Sequence, residues 1–206
     1  MQILRQTIFI ALILLLSLNA NAQSDAAMQK VFNDSYTQEY YKKYPEAIAT
    51  LAKVYNEDSY ELNLRLGWLN YLNKNYTQSQ SYYQKATTLK PYSIEAKLGL
   101  VKPLSTLESW DKVLQQYEDI LKIDAQNFTA NYWAGTIYYN RKKYEAAARL
   151  FEKLVNLYPF DYDANHMLAW SYLNMVKNND AKLLFQVALL IKPADTSATA
   201  GLAKIK

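Results

Sequence analysis

Five residues able to cap the start of a helix, Ser59, Ser93, Asn127, Asp161 and Asp195, recur at intervals of 34. Each carries a side-chain oxygen that can take the free N–H groups of a first helical turn. Further columns keep the same register: Tyr83, Tyr117, Phe151 and Phe185; Ser79, Val113, Ala147 and Ala181; and Tyr76, Trp110 and Tyr144, broken at Asn178. Pro91, Pro159 and Pro193 stand two residues before three of the caps, where a preceding helix must have ended, and Ala125 takes that place once. A chain with an internal period of this length is one supersecondary unit laid down repeatedly.

Within a period the apolar spacing is helical. In the unit closing at Asp161, Tyr132-Trp133, Ile137 and Tyr138-Tyr139 mark one helix and Asn140 to Lys143 a polar turn. Ala147, Leu150-Phe151 and Leu154-Val155 mark a second helix at three-and-four spacing. A pair of such helices cannot bury its apolar stripes alone, so neighbouring pairs must stack. Tyr44 and Leu51 precede Tyr76 and Tyr83 by 32, which identifies an earlier unit two residues short. The units are 26–59, 60–93, 94–127, 128–161 and 162–195, and a Lys-rich segment, 196–206, covers the last apolar face.

Composition removes most chemistry. Zero Cys excludes disulfide frameworks, thiolate metal sites and cysteine nucleophiles, and a single His, His166, excludes His-pair metal sites. No phosphate-cradling Gly loop, dinucleotide fingerprint or hydrolase motif is present. Asp161 and Asp163 lie near His166, but no third ligand or nucleophile joins them, and Asp161 serves as a cap. No enzymatic activity, cofactor or metal is expected. A net charge of +4 on 206 residues gives no reason to expect nucleic acid.

The units resemble the tetratricopeptide repeat family. Its signature is matched by Leu66-Gly67, Tyr83, Ala86 and Pro91; by Ala134-Gly135, Tyr138, Ala147, Phe151 and Pro159; and by Leu168-Ala169, Tyr172, Ala181, Phe185, Ala188 and Pro193. The unit 94–127 departs, with Val101 for the Gly, Val113 and Ile120 for the Ala residues, and Ala125 for Pro. The resemblance implies an all-α, right-handed α-solenoid of stacked antiparallel helix pairs, about five repeats plus a C-terminal capping helix. Pro103 breaks a local rule inside the first helix of the divergent unit, where an interior Pro costs about 3 kcal/mol. It is either drift tolerated by the neighbours or a kink that reshapes a groove.

The resemblance also implies that first helices line a concave surface that receives a partner protein or peptide. The candidate positions are Leu64, Arg65, Trp68 and Tyr71; Lys102; Tyr132, Trp133 and Tyr139; and His166, Trp170 and Asn174. Trp68 and Trp170 hold equivalent places, and their rings either pack between helices or supply contact hot spots. The cations some relatives use to clamp an acidic carboxyl terminus are absent except for Lys102. A rival reading takes the Trp and Tyr faces as platforms for glycan or peptidoglycan. Lys42-Lys43, Lys74, Arg141-Lys142-Lys143 and Lys177 fall at the turns inside the pairs, where they either meet helix C-termini or offer a basic edge to anionic lipid or polysaccharide.

The N-terminus reads as an address. Arg5 is followed by the apolar run from Ile8 to Leu16 and by Ala20-Asn21-Ala22. This is the pattern of a secretory signal peptide, 1–22, cleaved after Ala22. As a helix its apolar run would rise about 14 Å, short of a hydrocarbon core of roughly 30 Å, so it is not read as an anchor. No later segment is long enough to span, and without Cys no lipid attachment follows. The mature chain, 23–206, is expected to be periplasmic or secreted, with an envelope protein or peptide as partner.

Overall fold

The computed structural model describes residues 26–205; the expected leader, 1–22, lies outside them. The described residues are helices and turns, with no strand among them. The first helix, α1, covers 26–40. It is followed by α2 (Tyr44–Ala52), α3 (Tyr60–Leu72), α4 (Tyr76–Leu89), α5 (Ile94–Thr106) and α6 (Trp110–Ile123). Then come α7 (Phe128–Asn140), α8 (Tyr144–Leu157), α9 (Tyr162–Asn174), α10 (Asn178–Ile191) and α11 (Thr196–Ala203). These are five antiparallel pairs and a terminal helix, the expected all-α architecture. They form two compact units, one ending at Lys90 and the other starting at Pro91.

Capping sets where each first helix begins. Ser59, Ser93, Asn127, Asp161 and Asp195 each accept the backbone N–H three residues on, at 3.2, 3.1, 3.1, 2.8 and 2.6 Å. A second column lies in the same turns. Asn63, Asn131 and Asn165 are buried, and each donates its amide to two carbonyls of the preceding turn. Lys97 holds this place in the divergent repeat.

The turns inside the pairs end the first helices in a left-handed residue: Lys42, Lys74, Glu108, Lys142 and Val176, with φ between 54° and 62°. The next residue's N–H reaches five positions back, as in Lys143 to the Tyr138 carbonyl at 2.9 Å and Lys177 to that of Tyr172 at 2.9 Å. This is the Schellman closure, usually completed by Gly. None of the chain's four Gly residues stands there.

Packing within a pair explains the Gly and aromatic columns. A Cβ on Gly67 would lie 2.9 Å from the Tyr83 ring, and one on Gly135 2.8 Å from the Phe151 ring. Gly is needed there because the two helices approach until the aromatic ring touches backbone. Ser79, buried, donates to the Gly67 carbonyl at 2.7 Å across the same contact. In the divergent pair Val101 stands where α3 and α7 have Gly and α9 has Ala, and α5 packs less closely on α6. α5 nonetheless runs unbroken to Thr106 with Pro103 inside it and buried, so the helix absorbs the Pro.

In the first unit Leu51, Leu62, Leu66 and Leu69 form the core with Ala47, and Val31 and Phe32 of α1 close over it. In the second, Phe151 and Leu154 of α8 pack with Ala164 and Leu168 of α9. Ala169, Ala181, Phe185, Ala188 and Ala198 then join α9, α10 and α11.

Candidate partner-binding site

In the first unit the predicted residues lie on α3, opposite α1. Arg65 is only 7% exposed. Its guanidinium donates to Glu39 and to the Ser35 hydroxyl, and the Tyr36 ring covers it at 3.9 Å. Glu39 also accepts the Trp68 indole N–H at 2.6 Å, so one carboxylate ties two α3 side chains to α1. Trp68 stacks on Tyr71, ring centroids 6.0 Å apart. Leu64, Trp68 and Tyr71 are each half-buried. Between the two helices runs a cleft of about 570 Å³ lined by Tyr36, Tyr40, Tyr44, Arg65, Trp68 and Leu72, with Lys42 at its edge.

In the second unit Lys102 is exposed on α5. Trp133, 48% exposed on α7, meets the half-buried Tyr132 edge-on at 5.2 Å. Tyr139 accepts the Asn174 amide N–H at 3.1 Å, which joins α7 to α9. His166 and Trp170 are half-buried and bonded to each other and to Ser197 of α11. The predicted positions thus differ in kind: Trp133 is open, whereas Trp68 and Trp170 spend their indole N–H groups inside the fold.

Sequence reasoning missed the partners of these residues. Glu39 comes from the neighbouring helix pair and Ser197 from the terminal helix, 29 and 27 positions away from the Trp residues they bind. It also missed a polar column. The Tyr138 hydroxyl donates to Glu118, and that of Tyr172 to Glu152 at 2.7 Å. The Glu118 bond, together with burial, raises the Tyr138 phenol above its usual range. For Tyr172 burial is the larger cause and Glu152 adds to it. Tyr138 and Glu118 border a second cleft of about 280 Å³ between α6, α7 and α8. Both Glu–Tyr pairs repeat at 34, so the signal was present in the sequence.

The basic turn residues are partly explained by structure. Lys143 sits 6.0 Å from the Tyr138 ring and Lys177 4.9 Å from that of Tyr172, while Arg141 pairs with Asp111 at 2.8 Å. Among the described residues no group of three or more His, Asp or Glu is placed to hold a metal, and no helix is long and apolar enough to cross a membrane.

Two stretches, 60–93 and 129–161, match models described as tetratricopeptide repeat. The comparison with curated proteins found no match. Among solved structures, a tetratricopeptide repeat protein from Parabacteroides merdae superposes with a TM-score of 0.73 at 18% identity, covering 86% of this chain and 71% of that one. MamA (AMB-1) gives 0.70 at 16% identity, covering 85% and 97%. YrrB, described as a TPR protein with an unusual peptide-binding site, gives 0.69 at 16% identity, covering 82% and 89%. At these identities the neighbours speak to the fold. The capped helix pairs, the two matched stretches and these superpositions converge on the tetratricopeptide-repeat fold.

Proposed function

We propose that this chain is a non-enzymatic scaffold of the cell envelope that binds a partner protein or peptide through the aromatic faces of its first helices. The observation that carries the reading is accessible aromatic surface on the first helices, found in each unit by itself. Trp133 and Tyr132 present the surface on α7, and Tyr36, Tyr40, Trp68 and Leu72 line the cleft between α1 and α3. Aromatic side chains with one apolar and one polar edge supply large contact area at low entropic cost, the usual composition of binding hot spots. The apolar run and Ala-x-Ala site of 1–22 support export, with the mature chain in the periplasm or secreted.

The glycan reading is not favoured. Trp68 stacks on Tyr71 and donates to Glu39, and Trp170 lies edge-on to Phe185 with Lys204 over its ring.

The test is affinity capture from envelope extract with the wild type, Trp133→Ala and Tyr40→Ala. Both residues are well exposed, Tyr40 at 81%, so the variants keep the fold and their effects report on contact. A partner retained by the wild type and lost from either variant supports the reading; capture indifferent to both overturns it. N-terminal sequencing of the mature protein should begin at Gln23. A mature protein that begins at Met1 and stays in the cytoplasm overturns the export assignment.

A further inference from the structure

Four surface columns of the repeat change character together in the last pair. At the left-handed turn position the chain has Lys42, Lys74, Glu108 and Lys142, and then Val176. Three register positions on the second helices do the same. Ser81, Gln115 and Arg149 give way to Leu183; Lys85, Asp119 and Lys153 to Val187; and Thr88, Lys122 and Asn156 to Leu190. Leu183, Val187 and Leu190 are separated by four and three positions, so they share one side of α10.

That side is the outer one. Leu183 is 63% exposed and Leu190 73%, with Val187 half-buried between them. Ala181, Phe185 and Ala188 already fill the inner side of α10 against α9 and α11, so the outer leucines add little to the core. Val176 puts a further exposed apolar side chain in the turn that leads into the helix. Apolar surface gathered in one place on a folded protein marks a contact.

The surrounding charge and the shape of the stripe decide with what. On α8, α10 and the turns that open them, the cations Lys142, Lys143, Arg149, Lys153, Lys177 and Lys182 are exposed, against two exposed carboxylates, Glu145 and Asp180. Arg149 and Lys153 hold on α8 the register of Leu183 and Val187 on α10, so they present to the same side. A second copy seated on the stripe would bring the same cations against these, and like charges disfavour that contact. At their exposure Leu183 and Leu190 form a ridge, which a fluid interface accepts without a matching pocket. Lys177 and Lys182 have long stems that let their ammonium groups stay at headgroup level while the leucines go deeper.

We propose that the outer face of α10 rests on an anionic phospholipid surface, with Leu183, Val187 and Leu190 at the acyl boundary and the surrounding Lys and Arg side chains on lipid phosphates. Fourteen residues long, α10 lies in the interface and does not cross it.

The test is co-sedimentation of residues 23–206, which lack the apolar run at the N-terminus, with phosphatidylcholine vesicles with or without phosphatidylglycerol. Binding should be about tenfold or more stronger on the anionic vesicles and should weaken as salt is raised. Leu183→Ser combined with Leu190→Ser should reduce it by about tenfold or more, with the urea midpoint held, since both side chains are exposed. Arg149→Glu combined with Lys153→Glu should weaken binding to the anionic vesicles alone. Because the chain has no Cys, Leu190→Cys carries one environment-sensitive dye. Its emission should shift to the blue on anionic vesicles, whereas a dye on Thr88→Cys, the same register position on α4, should not shift. Wild type left in the supernatant of anionic vesicles, pelleting unchanged by the paired Ser substitutions, or equal shifts at 88 and 190 each overturns the proposal. A wild type that ignores vesicles but is dimeric by light scattering, and monomeric with the Ser substitutions, overturns it in favour of a second copy. None of these readouts involves Trp133 or Tyr40, so they stand or fall apart from the partner-binding proposal.

Discussion

Val176 holds φ at 62° with a β-branched side chain that is 79% exposed. The left-handed region costs an ordinary L-residue about 1–2 kcal/mol and Gly almost nothing. Val176→Gly should therefore stabilise the protein by about 1 kcal/mol once the greater freedom of Gly in the unfolded chain is deducted. Urea melts would show it as a higher midpoint at unchanged slope. The opposite outcome is expected at Gly135. The Phe151 ring that a new Cβ would meet at 2.8 Å is fully buried and cannot swing away. Gly135→Ala should cost about 1–3 kcal/mol from overpacking, although Ala is the better helix former. The same measurement checks it.

At the scale of the element, caps and interior residues decide where helices run. Asp161→Ala removes the acceptor of the Ala164 N–H and should cost about 1 kcal/mol. Loss of protection by hydrogen exchange should be largest in the first turn of α9. Pro103 works against its helix. Replacing it with Ala restores a donor for the Gly99 carbonyl, a backbone gain of about 3 kcal/mol reduced by the lost burial of the ring. Pro103→Ala should raise the urea midpoint, with a net gain of about 1–2 kcal/mol. The caps were legible because Ser, Asn and Asp share one chemistry and recur at one spacing. The left-handed column was not, because Lys42, Lys74, Glu108, Lys142 and Val176 have no side-chain chemistry in common. Their conformation is imposed by two helices that must turn back within three residues.

At the scale of the whole molecule, stability is passed between adjacent pairs. Phe185, fully buried, is shared by α9, α10 and α11. Phe185→Ala should cost about 3–5 kcal/mol. In hydrogen exchange the loss of protection should be concentrated in those three helices and leave α1 to α4 unchanged.

The sequence by itself determined the period, the capped starts and the helix pairs, because each follows from local chemistry repeated in register. It also named first-helix positions for a partner. Only the tertiary structure decided which of them are open. Glu39 takes up Trp68 and Arg65, and Ser197 takes up Trp170 and His166, while Trp133 remains exposed. Those bonds join residues about one helix pair apart in the chain. Their formation depends on how neighbouring pairs stack, a geometry that no stretch of local sequence contains.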